Sequence, residues 1–348
     1  MNNEELEKNA KSLVAKGKGL LAADESNASC KKRFDGVGVE CTEESRREYR
    51  QLMMTTPGAE NYMSGVILYD ETFWQKTNDG QSIPDYLKSK SVEPGIKVDK
   101  GLIDLPGFEN EKLTQGLDGL PEQMIKYYES GARFAKWRSV ITIGEGIPSE
   151  ECIQANAFVL ARYARICQDA GIVPMVEPEV LFDGTHSIQS CEEVLSHTLD
   201  VLFKTLKSFK VHNPGLILKT SMVLPGKTSG TEIDHEDTST RTVKVLHEHV
   251  PQDLAGVVFL SGGQTSNDAF INLNKIAQKG PHPWGVTFSY SRALQDPVLK
   301  LWAKDRTATK EIQDLFLHQL ELASAASMGE LDESQLKDDS FVSHAQDL

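Results

Sequence analysis

Eight short apolar runs, rich in β-branched residues and separated by longer amphipathic stretches, constrain this chain more than any other feature. The runs cover residues 19–24, 65–70, 96–100, 134–140, 173–180, 216–223, 256–260 and 284–290. Between them, 42–54, 120–130, 149–170, 191–210, 238–249 and 268–278 have helical spacing. Helix starts are signalled by Thr42 with Glu44 in the first turn, and by Ser149 after Pro148 with Glu150 and Glu151 behind it. Strands that alternate with helices form a parallel sheet, and eight of them close a (β/α)8 TIM barrel. An open doubly wound sheet is the rival, but no Gly-x-Gly-x-x-Gly comes after the first run. With no low-complexity break, the reading is one α/β domain over residues 1–330, with an extra N-terminal helix. Residues 331–348 are polar and acidic and read as a mobile tail.

Composition narrows the partners. The 51 acidic against 37 basic residues give a net charge of −14, which disfavours nucleic acid or an anionic membrane as the main target. No apolar stretch approaches the roughly 20 residues of a membrane span, and the polar start Met1-Asn2-Asn3-Glu4-Glu5 has no signal-peptide character. Five scattered cysteines suit a reducing compartment and carry no metal-ligand spacing. Asn27-Ala28-Ser29 has the form of a glycosylation acceptor, read as accidental without a secretory signal. The expectation is a soluble cytoplasmic protein.

Barrel strands are covered on both sides and should be almost wholly apolar. Here they are not. Lys219 interrupts the run 216–223, Lys136 and Arg138 share a face of the fourth run, Glu177 and Glu179 of the fifth, and Lys97 and Asp99 of the third. The first run ends at Asp24 and the last leads into Arg292. Each alone reads equally well as a structural ion pair. Together they read as an active site at the C-terminal strand ends, where barrel enzymes place theirs. A buried lysine surrenders its proton more readily and becomes a nucleophile toward carbonyls.

Two segments suggest anion sites. Ser261-Gly262-Gly263-Gln264 and Ser289-Tyr290-Ser291-Arg292 lie at the ends of the last two strands, the usual phosphate site of barrels. Ser26, Ser29, Lys31, Lys32 and Arg33 come after Asp24 and form a second basic group. Two anion sites flanking a reactive lysine point to a bisphosphorylated sugar.

With Leu21-Ala22-Ala23-Asp24-Glu25-Ser26, Phe134-Ala135-Lys136-Trp137-Arg138, Val176-Glu177-Pro178-Glu179, Leu218-Lys219 and Leu260-Ser261-Gly262-Gly263-Gln264 in order, the chain resembles class I fructose-1,6-bisphosphate aldolases from about residue 18 to 329. The resemblance implies reversible retro-aldol cleavage of fructose 1,6-bisphosphate in glycolysis, gluconeogenesis or the Calvin cycle, without metal or other cofactor. Lys219 would form the Schiff base, Glu177 would be the acid/base that expels water, and Asp24 would take the C4 hydroxyl proton. Lys136 would sit beside Lys219, with Glu179 in the same catalytic group and Lys97 lining the pocket. Ser261, Gly262, Gly263, Ser289, Ser291 and Arg292 would hold the C1 phosphate, and Ser26, Ser29, Lys32, Arg33 and Arg138 would serve the C6 end. A homotetramer is implied too.

Two departures stand out. Many members end in a tyrosine that assists proton transfer, whereas this chain ends His344-Ala345-Gln346-Asp347-Leu348. Ser291 stands where animal members commonly have glycine, which preserves a backbone N–H. Other Schiff-base barrel lyases need no second anion cluster, and a metal-dependent aldolase is disfavoured because the nine histidines show no helical or strand pairing beyond His247–His249 and His282, with no acidic ligand pattern nearby. A non-catalytic barrel would have lost the lysines. The preference among fructose 1,6-bisphosphate, sedoheptulose 1,7-bisphosphate and fructose 1-phosphate stays open.

Overall fold

The computed structural model describes residues 3–336. Strands β1 (Gly19–Ala23), β2 (Met63–Leu68), β3 (Glu93–Lys97), β4 (Leu102–Asp104), β5 (Lys112–Thr114), β6 (Phe134–Ile141), β7 (Val173–Val180), β8 (Ile217–Thr220), β9 (Gly256–Phe259) and β10 (Gly285–Tyr290) include eight that close a barrel in the order β1-β10-β9-β8-β7-β6-β3-β2. All eight neighbouring pairs are parallel. The remaining two, β4 and β5, form an antiparallel hairpin between β3 and β6. The α-helices of the described residues are α1 (Asn3–Leu13), α2 (Asn27–Asp35), α3 (Glu43–Met54), α4 (Asp70–Phe73), α5 (Ile83–Ser89), α6 (Leu120–Glu129), α7 (Glu150–Asp169), α8 (Ile188–Ser208), α9 (His235–His249), α10 (Ser266–Gln278), α11 (Arg292–Lys304) and α12 (Thr309–Met328).

The apolar residues separate into two cores. The larger lies between barrel and helices. The smaller fills the lower barrel: Leu20, Ala22, Ile67, Phe134, Val173, Met175, Ile217 and Val258 point inward and meet Leu6, Ala10 and Leu13 of α1. Because side chains alternate faces along a strand, these inward residues determine which side chains point inward in the layers above them. Phe134 is succeeded by Lys136 and Arg138, Met175 by Glu177 and Glu179, Ile217 by Lys219, and Ala22 by Asp24. One face of each strand thus changes from apolar to charged as it climbs. Helix α1 covers the apolar end, so the charged end is where the barrel opens.

Several boundaries differ from the sequence expectation. The third strand is residues 93–97, leaving Asp99 beyond it; the first stops at Ala23; the sixth barrel strand spans only residues 217–220. Asp24 and Asp99 sit where strands give way to loops that line the cavity, whereas Met222 and Val223, just past the strand, are buried in the larger core. Helix α2 is not signalled by periodicity, because Asn27–Asp35 has almost no amphipathic pattern; Ser26 starts it by accepting a hydrogen bond from the Ser29 N–H. Of the segment expected as a tail, Leu331 and Leu336 pack against the larger core, and the Leu331 N–H donates to Asn274 Oδ1 at 3.0 Å. Residues 337–348, which include the terminus that lacks a tyrosine, lie outside the described residues.

Candidate active site

The barrel mouth holds a cavity of about 820 Å³. At its floor, four side chains from four strand ends form one chain of charge. Lys219 Nζ lies 3.0 Å from Glu177 Oε1, Glu177 Oε2 lies 2.7 Å from Lys136 Nζ, and Lys136 Nζ lies 3.0 Å from Asp24 Oδ2. All four residues are buried, none more than 8% exposed. Such charges are tolerated inside a protein only when paired, which these are.

The electrostatics are set by the contest between burial and neighbours. Burial pushes the Asp24 carboxyl up, but Lys136, Lys219 and Lys97 outweigh it and hold the group at about 2, against an ordinary 3.8. Burial likewise opposes the charge of Glu177, yet Lys136, Lys219 and Arg138 keep it below the usual carboxylate range. Burial works against the Lys136 ammonium, and Asp24 and Glu177 overcome it, raising its proton affinity above that of an ordinary lysine. Lys136 is therefore a fixed cation between two carboxylates.

This pairing couples stability to pH. The folded-state value of Asp24 is depressed, so its contribution is fully present above about pH 4 and is lost as pH falls toward about 2. Glu177 acts in the same direction. The expected result is a steep decline of unfolding free energy across that window, with a shallower decline in Asp24→Asn; equal slopes by urea titration would contradict the buried pairing.

Around the floor, further pairs hold the walls. Lys97, at the end of β3, meets Asp99 Oδ1 at 2.8 Å, and Arg138 Nε donates to Glu179 Oε2 at 2.5 Å. Asp99 also accepts from the Gly101 N–H at 3.2 Å and the Arg138 N–H at 3.4 Å, fixing the loop that carries Lys97 and Lys100 into the cavity. Ser26 and Ser29 line the same cavity at the start of α2, their hydroxyls 3.1 Å apart.

On the side of β9 and β10, Ser261, Gly262, Ser289, Ser291 and Arg292 line the cavity. Gly262 and Gly263 both adopt positive φ, of 59° and 92°, which favours glycine and aims the backbone of this turn. A side chain at 263 would also come within 3.5 Å of the Arg292 guanidinium. Gly263 itself does not line the cavity, and Lys32 is exposed on α2 away from it.

Arg33 lines the cavity, but its guanidinium is engaged in a buried network. It pairs with Glu25, donates to Gln295 Oε1 at 3.1 Å and meets Asp296 Oδ1 at 3.0 Å. Burial opposes its charge, and Glu25 and Asp296 more than compensate. Glu25 also accepts from Ser291 Oγ at 2.6 Å and Gln295 Nε2 at 3.0 Å, so it joins the loop after β1 to the start of α11.

Sequence reasoning missed Glu25 as a hub, although it lies between Asp24 and Ser26. It also missed a wall made by Tyr69, Asp70, Trp74, Lys126 and Tyr127. Asp70 Oδ1 accepts from Tyr127 OH at 2.5 Å and from Trp74 Nε1 at 2.8 Å, while Lys126 Nζ stands 4.6 Å over the Trp74 ring. Only folding joins α4 to α6, and no spacing in the chain announces it.

A closed parallel barrel with a buried amine–carboxylate chain at its C-terminal mouth defines a (β/α)8-barrel enzyme equipped for carbonyl and acid–base chemistry. Residues 5–346 match the model of the glycolytic, class I fructose-bisphosphate aldolase family. A probable class 1 fructose-bisphosphate aldolase of Xanthomonas campestris pv. campestris is 52% identical, over 88% of this chain and 92% of that protein. A cytosolic fructose-bisphosphate aldolase of Arabidopsis thaliana is 48% identical, over 93% and 83% respectively. The fructose-bisphosphate aldolase of Plasmodium falciparum, solved in complex with TRAP and a small-molecule inhibitor, superposes with a TM-score of 0.93 at 45% identity, covering 94% of this chain and 95% of that one. The chain belongs to the class I fructose-bisphosphate aldolase family, and its activity is that of an aldehyde-lyase acting on fructose bisphosphate.

Proposed function

We propose that the chain cleaves fructose 1,6-bisphosphate through an imine on Lys219. The observation that carries this reading is the 3.0 Å approach of Lys219 Nζ to Glu177 at the floor of the cavity. With its lone pair free, Nζ adds to the C2 carbonyl; Glu177, an ionised carboxylate at rest, takes the proton that the nitrogen loses and returns it to the carbinolamine hydroxyl, which leaves as water. Asp24 accepts the C4 hydroxyl proton, the C3–C4 bond breaks, and its electrons enter the iminium to give an enamine and free glyceraldehyde 3-phosphate. Protonation at C3 and hydrolysis release dihydroxyacetone phosphate and restore the amine. Lys136, an anchored cation between Asp24 and Glu177, fixes both carboxylates and stabilises the developing alkoxide.

The Ser261–Arg292 side suits one phosphate, through the Gly262 and Gly263 turn, the Ser289 hydroxyl and the Arg292 fork. Ser26, Ser29, Lys97 and Arg138 suit the other, with Glu179 and Asp99 holding the last two cations. Arg33 serves by holding Glu25 between the two ends, and Lys32 contributes from the surface as a long-range positive charge.

Borohydride added with substrate tests the reading. Reduction should leave one stable triose phosphate adduct per chain on the peptide containing Lys219, with activity lost in proportion. Labelling elsewhere, or none, would refute it. Assembly as a homotetramer and a cytoplasmic location rest on family membership; light scattering of the purified chain tests the first.

A further inference from the structure

At the end of the barrel opposite the mouth, the last turn of α9 meets the loop between α10 and β10, bringing two imidazoles together. His247 Nε2 lies 3.1 Å from His282 Nδ1. The other nitrogen of His282 is 2.9 Å from the Ile276 carbonyl, which can only accept, so that nitrogen carries the proton and Nδ1 offers a lone pair toward His247. Both rings are held by one indole. His282 lies parallel to Trp284, with planes 8° apart and centroids separated by 6.2 Å, and His247 meets it edge-on at 5.3 Å. Trp284 is itself buried and donates Nε1–H to the Pro251 carbonyl at 2.8 Å.

We propose that His247 and His282 form a two-histidine clip for a borderline-soft divalent cation, with Zn²⁺ the ion it suits best. Two imidazole nitrogens bound to tetrahedral Zn²⁺ at about 2.0–2.1 Å stand about 3.3 Å apart. The observed separation needs only a few tenths of an ångström of opening. A carbonyl on the remote nitrogen is also how metal-ligating histidines are oriented and their ring tautomer fixed. On uptake, His247 carries its proton on Nδ1, so Nε2 and His282 Nδ1 both donate lone pairs and no redox step occurs. Imidazole favours Zn²⁺, Ni²⁺ and Cu²⁺ over Mg²⁺ or Ca²⁺. Among the described residues no group of three or more His, Cys, Asp or Glu side chains converges as ligands, so water completes the shell and the ion exchanges freely. The site joins α9 to the loop before β10, so the bound ion acts on stability and leaves the catalytic cavity alone.

The test is equilibrium dialysis of the chelator-stripped full chain against Zn²⁺ alone, with the melting temperature and Trp fluorescence followed in parallel. One saturable equivalent is expected, with a rise in melting temperature and a change in emission from Trp284. His247→Ala, at an exposed position, should weaken uptake at least about tenfold; His282→Ala should do the same. His249→Ala, whose ring pairs with Asp200, should bind as the unaltered chain does. Absence of saturable uptake overturns the site. So does wild-type affinity in His247→Ala, which would place the ion elsewhere, for example on a cysteine.

Discussion

Lys219→Ala should lower kcat by about 10⁵–10⁶, the scale seen when a covalent nucleophile is deleted. Substrate should still bind, because the groups proposed for both phosphates are untouched, so calorimetry with fructose 1,6-bisphosphate should return an affinity close to that of the unaltered chain. Borohydride should leave no adduct. The fold should survive, since Glu177 keeps its 2.7 Å pairing with Lys136 when the neighbouring amine is removed. Loss of binding together with turnover would mean that the substitution had damaged the cavity. A variant that retained a few per cent of the rate would show that the imine forms on another residue.

Lys136→Met should be harmful in two separable ways. The substitution keeps roughly the same volume but removes the cation shared by Asp24 and Glu177, at 3.0 and 2.7 Å. Without it, the proton-transfer groups lose both position and charge balance, and kcat should fall about 10²–10⁴-fold. Two buried carboxylates then lie without their common partner, and stability should fall by about 3–5 kcal/mol at neutral pH, as when one member of a buried pair is lost. The sign of its pH dependence is diagnostic. Both carboxylates are held low in the unaltered chain mainly against the pull of burial. With the cation gone, burial dominates and their protonation is favoured, so acidification from pH 8 to pH 5 should restore part of the variant's stability. A variant that weakens further over that range would contradict the assignment of Lys136 as the fixed counter-ion.

The two predictions differ because the two lysines differ in surroundings, although the sequence presents both as amines within apolar strands. Lys219 has one carboxylate contact, and Lys136 has two. The pairing between β6 and β7 sets Lys136 opposite Met175 and Arg138 opposite Glu177, so Lys136 reaches Glu177 from two register positions below. Only a closed barrel also brings Asp24, from the far side of the sheet order, to the same nitrogen.

The alternation of short apolar runs with amphipathic stretches determined the barrel, because strand and helix periods are local properties of the chain. The same period-two rule determined that Lys136, Arg138, Glu177, Glu179 and Lys219 face inward above Phe134, Met175 and Ile217. Tertiary structure alone decided which charges meet. It made Lys136 a bridge, joined Arg33, which lines the cavity, to a buried network with Glu25 and Asp296, and built a wall from Asp70, Trp74 and Tyr127. Those partners are far apart in sequence, and ion pairing falls off over a few ångströms. Periodicity specifies the direction in which a side chain points; only closure of the barrel specifies what it finds there.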